Sequence, residues 1–212
     1  MKISEIFTSI QGEGPSMGQP VIFIRLAGCN LRCKWCDSKY SWEKGTEMKC
    51  QDVVERVKLP FIRKIVWTGG EPALQMKEII DVISQLDIDD YKFQHEIETN
   101  GTVKFNPSLF DKVIISPKKQ TIKKDVIKYF EGCSNVYWKF VCEDRSDFHF
   151  WYDFCNEYDL LYDKSKLYFM PEGVNDKELK QKAKWLVELC KMNNVNFSPR
   201  LQVWLWGKKR GV

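Results

Sequence analysis

Short runs of apolar, β-branched and aromatic residues recur along the chain at Val21 to Leu26, Ile65 to Thr68, Phe93 to Glu98, Val113 to Ser116, Val136 to Val141, Leu167 to Met170 and Leu201 to Leu205. Their length and composition predict strands. Between many of them apolar positions fall three and four apart, most clearly over Met76 to Leu86, Phe148 to Tyr158 and Asp176 to Met192. That spacing predicts amphipathic helices. Strand and helix therefore alternate, which points to parallel βα units with right-handed crossovers.

An eight-unit barrel typically takes about 250 residues, more than the 212 present. The expected fold is α/β, a truncated or open parallel (βα)6-type barrel with an additional terminal strand. No repeat, low-complexity tract or Ser/Pro-rich linker interrupts the sequence, so residues 1–212 are expected to form one domain. In such folds chemistry gathers at the C-terminal ends of the strands. Those positions hold Ala27-Gly28-Cys29, Thr68-Gly69-Gly70-Glu71-Pro72, Thr99-Asn100-Gly101, Pro117-Lys118 and Pro171-Glu172-Gly173.

An apolar fraction of 43% with 29% charged residues excludes a disordered or membrane-spanning chain. Met1 leads directly into polar Lys2, Ser4 and Glu5 with no signal-peptide pattern, so a cytoplasmic location with no membrane partner is expected. The net charge of +4 is too mild to demand nucleic acid but suits an anionic small molecule or an acidic electron donor. Eight cysteines in a reducing compartment point to a metal or cluster rather than to disulfides.

Cys29, Cys33 and Cys36 form C-x3-C-x2-C directly after the first predicted strand. So short a loop can offer three thiolates to three corners of one cubane and leave the fourth iron open. The alternative is a structural zinc site, which wants a fourth Cys or His at matching spacing; the next cysteine is Cys50, and the histidines are His95 and His149. Cys50, Cys133, Cys142, Cys155 and Cys190 sit singly in helix or strand patterns and are expected to be core or surface thiols.

At the cysteine loop, with Trp35 before its last cysteine, the chain resembles the radical S-adenosylmethionine (SAM) superfamily. The resemblance implies a [4Fe-4S] cluster whose open iron is chelated by S-adenosyl-L-methionine. One electron then cleaves the sulfonium to a 5′-deoxyadenosyl radical. It also implies cofactor contacts at Trp35, at Gly70 in the Gly-Gly-Glu turn, and at Glu98, Ser116 and Lys118. The bare alternatives for these residues are a tight turn, a cap and a solvated lysine.

A narrower resemblance rests on Phe7-Thr8-Ser9-Ile10-Gln11-Gly12-Glu13-Gly14-Pro15, the strand carrying Arg25, Cys36-Asp37-Ser38, Thr68 to Pro72, Glu98 to Thr102, Ser116-Pro117-Lys118 and Ser198 to Val203. Together these are similar to the 7-carboxy-7-deazaguanine synthases. That implies a lyase acting on 6-carboxy-5,6,7,8-tetrahydropterin, with ring contraction and loss of ammonia, in queuosine biosynthesis. Hydrogen removal at C6 would start the reaction, and S-adenosylmethionine would be regenerated. Implied substrate contacts are Ile10, Gln11, Gly12, Glu13, Arg25 and Thr68. Ser38 would hold Mg2+, with serine where family members may carry threonine. A homodimer and a flavodoxin or ferredoxin-type reductant are implied as partners.

The residue chemistry suits these roles. The Gln11 amide offers a donor beside an acceptor, backbone groups of Ile10 and Gly12 can add more, and Glu13 can accept from N–H groups of an amino-pyrimidinone ring. Against this stands a solvated turn at Gly12 to Pro15. Arg25 lies among apolar neighbours in a strand, so its guanidinium needs an anion. A substrate carboxylate gripped by a bidentate fork and a structural salt bridge both satisfy it. Ser38 follows Asp37 either as an Mg2+ ligand or as part of a helix cap. The rivals are a glycyl-radical-enzyme activase, which needs an open groove for a protein loop, and a zinc-stabilised nucleic-acid-binding module. The second is suggested by Lys118-Lys119, Lys123-Lys124 and Lys208-Lys209-Arg210. Lysines spaced along surface-like helices fit a solvated face better, so no direct nucleic-acid contact is expected.

Overall fold

The computed structural model describes residues 1–58, 60–88 and 92–212. Its strands are β1 (Lys2–Ile10), β2 (Pro20–Leu26), β3 (Thr46–Glu47), β4 (Lys64–Gly69), β5 (Gln94–Thr99), β6 (Lys112–Ile115), β7 (Val136–Cys142), β8 (Leu167–Pro171) and β9 (Asn196–Phe197). The helices are α1 (Cys50–Lys58), α2 (Met76–Ile88), α3 (Lys124–Phe130), α4 (Arg145–Glu157), α5 (Asp176–Asn193) and α6 (Leu201–Trp206).

The strands form one sheet in the order β3-β1-β2-β4-β5-β6-β7-β8-β9. From β2 to β9 every pairing is parallel, whereas β1 pairs antiparallel with both β2 and β3. The edge strands β3 and β9 do not meet, so the barrel is open. Six parallel strands, β2 and β4 to β8, are the expected (βα)6 core, and β9 is the additional terminal strand.

Period-two alternation divides the two faces of this sheet. Outward residues such as Ile22, Ile24, Trp67, Ile97, Phe140 and Phe169 are fully buried in one core with the helices. The inner face carries Arg25, Thr68, Glu96, Glu98 and Lys139 instead, with a small apolar patch of Val21, Phe23, Val66 and Phe7. Helix ends follow their local chemistry. Asp144 caps α4 through the Asp147 N–H, Asn175 caps α5 through the Glu178 N–H, and Asn194 ends α5 in the left-handed conformation.

Two segments differ from expectation. Leu201 to Leu205, predicted as the terminal strand, is helix α6, and the terminal strand is Asn196–Phe197. Pro199 just before the helix and Gly207 just after it, at φ +61° with its N–H on the Val203 carbonyl, are helix punctuation that outweighs a five-residue apolar run. Strand β1 was not expected at all. A register shift between Ile3 and Glu5 pairs Ile3 with Leu26 and Glu5 with Arg25. Residues of the same parity thus point to opposite faces, which erases the alternation a reader would look for.

The lone cysteines behave as anticipated: Cys142, Cys155 and Cys190 are buried, and burial pushes the Cys190 thiol up to about 12. No helix among the described residues is long and apolar enough to cross a membrane.

His95 is buried on the outer face of β5, stacked near Trp67, whose Nε1 donates to Nδ1 at 3.2 Å. Its Nε2 has no partner among the described residues. Burial lowers its pKa from 6.5 to about 4. The unfolded chain therefore binds a proton that the folded chain refuses, so stability present above pH 6.5 is lost as pH falls towards 4. The difference amounts to about 3 kcal/mol. Urea midpoints measured against pH should fall more steeply through this window for the native sequence than for His95→Gln, which keeps an acceptor for Trp67 but does not titrate.

Candidate active site

The C-terminal ends of the parallel strands open into a cavity of about 600 Å3, within the range that holds organic ligands. Cys29, Cys33 and Cys36 all line it, together with Trp35 and Gly70. Within the loop the Leu31 N–H donates to Cys29 Sγ at 3.4 Å, and the Cys36 N–H closes a turn on the Cys33 carbonyl at 3.1 Å. Burial raises the Cys29 and Cys36 thiols, and Cys33 beside them raises both further, so the three sit within electrostatic reach of one another. Among the described residues no three cysteine, histidine or carboxylate side chains converge on a single-ion position. A structural zinc site takes a fourth Cys or His, and among the described residues none joins these three in the cavity lining, whereas a cubane takes each thiolate at a different iron. The donor set fits a cluster with one open corner.

The turn after β4 is fitted against this loop. The Gly70 N–H donates to the Leu26 carbonyl at 2.9 Å and the Glu71 N–H to that of Gly28 at 2.8 Å. A Cβ built on Gly70 would lie 1.9 Å from the Gly28 oxygen, and Gly69 is held at φ +122°. Only glycine permits that approach. Glu71 is fully buried, accepting from the Ala73 N–H at 3.0 Å, Thr99 Oγ1 at 2.7 Å and the Asn100 N–H at 2.7 Å. It ties this turn to the one after β5. Asn30 of the cysteine loop completes the tie through Asn100 and Thr102. On the far side Lys118 Nζ donates to the Ser116 carbonyl and Oγ at 2.7 and 2.8 Å and lies 5.1 Å from the centre of the Trp35 ring.

Across the floor runs a chain of alternating charges. Asp37 pairs with Arg200, whose Nε meets Glu13 Oε1 at 3.1 Å. Glu13 Oε2 meets Lys139 Nζ at 2.7 Å, and the same ammonium reaches Glu98 Oε1 at 3.1 Å. Thr68 Oγ1 donates to Glu98 Oε2 at 2.9 Å, Gln202 Nε2 to Glu13 Oε1 at 2.7 Å, and Gln11 Nε2 to Glu96 and Glu98 at 3.4 Å each. Burial alone would raise the Glu13 carboxyl, but Lys139 and Arg200 hold it well below the usual range.

A model of the radical SAM superfamily matches residues 23–115. A 7-carboxy-7-deazaguanine synthase of Hyperthermus butylicus is 30% identical over 220 residues, covering 96% of this chain and 92% of its own. One of Thermoplasma acidophilum is 36% identical over 167 residues, covering 74% and 78%. The chain belongs to the 7-carboxy-7-deazaguanine synthase family. In architecture it is similar to QueE from Escherichia coli, with a TM-score of 0.72 at 23% identity over 94% of this chain and 93% of that one. A more distant likeness, TM-score 0.54 at 17% identity over 87% and 65%, is to anSMEcpe with bound AdoMet.

Every site residue expected from the sequence lines this family member's cavity, but several have protein partners that the sequence did not disclose. Arg25 donates through Nε to Glu5 Oε1 at 2.7 Å, and Glu5 also receives Tyr40 Oη at 2.7 Å and Arg210 Nη2 at 3.4 Å. A structural salt bridge therefore exists, and only the terminal amino groups of Arg25 are left for a ligand. Segment 12–15 is not a solvated turn: Gly12 and Gly14 are buried, the Gly12 carbonyl is taken by the Leu201 N–H at 3.0 Å, and the backbone of Gln11 pairs with Gly18 and Gln19. Ser38 donates to Asp37 Oδ1 at 2.7 Å and makes no side-chain cap.

The expected set omitted Lys139, Arg200, Gln202 and Glu5. Lys139 carried a readable signal, a lone charge inside the apolar run Val136 to Val141, the same signal that singled out Arg25. Arg200 and Gln202 lie in Ser198 to Val203, a stretch that counts towards the family resemblance without a contact assigned to it, and Glu5 carries no signal of its own.

Gly70→Ala should displace the Gly28–Cys29 backbone and destabilise the fold by about 1–3 kcal/mol. Iron and sulfide content after anaerobic reconstitution is expected to fall well below that of the native sequence, with the far-UV circular dichroism spectrum retained.

Proposed function

We propose that this chain is the enzyme that converts 6-carboxy-5,6,7,8-tetrahydropterin to 7-carboxy-7-deazaguanine, a lyase reaction with ring contraction and loss of ammonia, in queuosine biosynthesis. The observation that carries this reading is that the three cysteines open onto the same cavity as Arg25, Glu13 and Glu98. Iron-based radical chemistry and the recognition groups for a small anionic heterocycle thus share one cavity. Gln11, Glu13 and Arg25 on its wall suit a small anionic ligand rather than the protein loop an activase would take. Residues 1–212 act together as one catalytic domain.

When bound, a [4Fe-4S] cluster on Cys29, Cys33 and Cys36 and S-adenosylmethionine supply reductive cleavage of the sulfonium bond and, through it, hydrogen removal from the pterin carbon beside the carboxylate. This chain's own residues bind and orient. The Gly69-Gly70 turn lets backbone approach the methionine end of the cofactor, with Lys118 and Ser116 near its carboxylate and Trp35 along its flank. Glu98 accepts from ribose hydroxyls. The terminal amino groups of Arg25 hold the substrate carboxylate, while Gln11, Glu13 and Thr68 meet the ring edge and Ile10 and Gly12 wall it in. Phe7 and Phe23 exclude water from one side of the cavity.

Ser38 Oγ, hydrogen-bonded to Asp37, provides a hard oxygen for Mg2+, which commonly completes its shell with water and substrate oxygens. The reductant is an acidic flavodoxin or ferredoxin-type protein, the active form a homodimer, and the setting the cytoplasm.

Cluster-loaded protein incubated anaerobically with a reductant, S-adenosylmethionine, Mg2+ and the carboxypterin is expected to release the deazaguanine acid, detected by mass; no product with intact cluster and cofactor cleavage would overturn the substrate assignment. Arg25→Lys keeps the charge but loses the fork, so KM for the pterin should rise about tenfold with S-adenosylmethionine affinity unchanged. Chelating Mg2+ should slow the native enzyme, whereas Ser38→Ala turnover, already low, should respond little to added chelator.

A further inference from the structure

Lys139 stands between two carboxylates with different proposed duties. Its Nζ donates to Glu13 Oε2 at 2.7 Å and to Glu98 Oε1 at 3.1 Å, and its side chain is 7% exposed, so water does little to solvate it. Glu96 lies next to Glu98 on the inner face of β5 and shares Gln11 Nε2 with it, Lys118 lies near Lys139 from the segment after β6, and the remaining groups facing the pair are fixed. Arg200 Nε and Gln202 Nε2 occupy Glu13 Oε1, Thr68 Oγ1 occupies Glu98 Oε2, Gln11 Nε2 shares Glu98 Oε1, and Asp37 engages Arg200 from the cysteine loop. A carboxylate oxygen accepts in about two directions. With these partners in place, Glu13 and Glu98 each keep one open direction, on Oε2. The ammonium sets where both of these point.

We propose that Lys139 is a positioning residue that holds Glu13 aimed at the amino-pyrimidinone edge of the pterin and Glu98 aimed at the ribose of S-adenosylmethionine, one cation serving both ligands. This rests on the functional reading above, which assigns those ligands. Strand pairing alone does not ask for an ammonium here, since the inner face of β7 otherwise carries Tyr137 and Val141 and the backbone pairing with β8 is regular. Without Lys139 the two carboxylates lose their shared counter-ion, and like charges crowded in a desolvated site drive one of them to take a proton. A protonated carboxyl presents a donor where the ligand also presents donors.

The test measures binding to the cluster-loaded, unreduced holoenzyme, so no turnover is required. The carboxypterin and S-adenosylmethionine are titrated across the neutral pH range into the native protein, Lys139→Met and Lys139→Arg. Lys139→Met is expected to weaken pterin binding by about tenfold to a hundredfold, increasingly so as pH falls, and to weaken S-adenosylmethionine binding as well. Lys139→Arg should recover most of both affinities and a flat profile. Native affinities in Lys139→Met, or a loss equal at every pH that Lys139→Arg does not recover, would overturn the proposal. Should Lys139→Met lose its cluster or its cooperative melt, Lys139→Gln, which keeps a donor without the charge, is held to the same two outcomes. A native protein that does not bind the pterin removes the functional reading and this inference together. Native binding with unaffected variants removes this inference alone.

Discussion

Everything at this site depends on keeping charge inside an open barrel. The sheet's outer face is apolar and covered, so each inward-pointing charge must find its counter-charge within the lumen or at its mouth. Asp37, Arg200, Glu13, Lys139 and Glu98 do so as one alternating series that spans the cysteine loop, the β1–β2 connection, two strands of the sheet and the segment after β9. Buried pairs of this kind add little net stability compared with apolar packing of the same volume, but breaking one leaves an uncompensated charge. The series is therefore better understood as fixing geometry than as holding the fold together, a task already met by the core between sheet and helices.

The backbone makes the complementary contribution. Gly69 and Gly70 bring the ends of β4 and β2 closer than side chains would allow, and Glu71 hides its carboxylate beneath the turn where it locks β4 to β5. Burial raises its carboxyl pKa against the pull of its three donors and of Lys118, in contrast to Glu13, which Lys139 and Arg200 touch directly. One acidic residue thus binds backbone and the other binds cations.

What the sequence made legible follows the range of each interaction. The parallel strands and amphipathic helices were readable because their signals are local periodicities, and the cysteine loop because eight consecutive residues contain it. Strand β1 was hidden by a bulge that inverts parity between Ile3 and Glu5. Helix α6 was misread because five apolar residues fit either period, and only the flanking Pro199 and Gly207 decide. Arg25 was legible as a charge needing an anion, yet its partner Glu5 lies across the hairpin beyond that bulge. Arg200 finds Glu13, Asp37 and the Gly173 carbonyl over long sequence separations, and no pattern in one sequence announces such a meeting.

The charge of the cavity adds a last constraint. Eight lysines and arginines line it against five aspartates and glutamates, an excess of three in a chain whose whole net charge is +4. Four of the eight cations, Lys39, Lys208, Lys209 and Arg210, are exposed, so water carries most of that excess at the mouth of the cavity. Metal ligation requires Cys29, Cys33 and Cys36 as thiolates, and the cationic iron–sulfur core that they hold would cancel most of their charge, so the ligated loop leaves the cavity cationic and suited to an anionic ligand. Lys118 lies deeper in the same cavity: burial lowers its pKa to about 8, Lys139 lowers it further, and Cys33, Glu71 and Cys36 pull the other way, so its charge depends on the anions gathered around it.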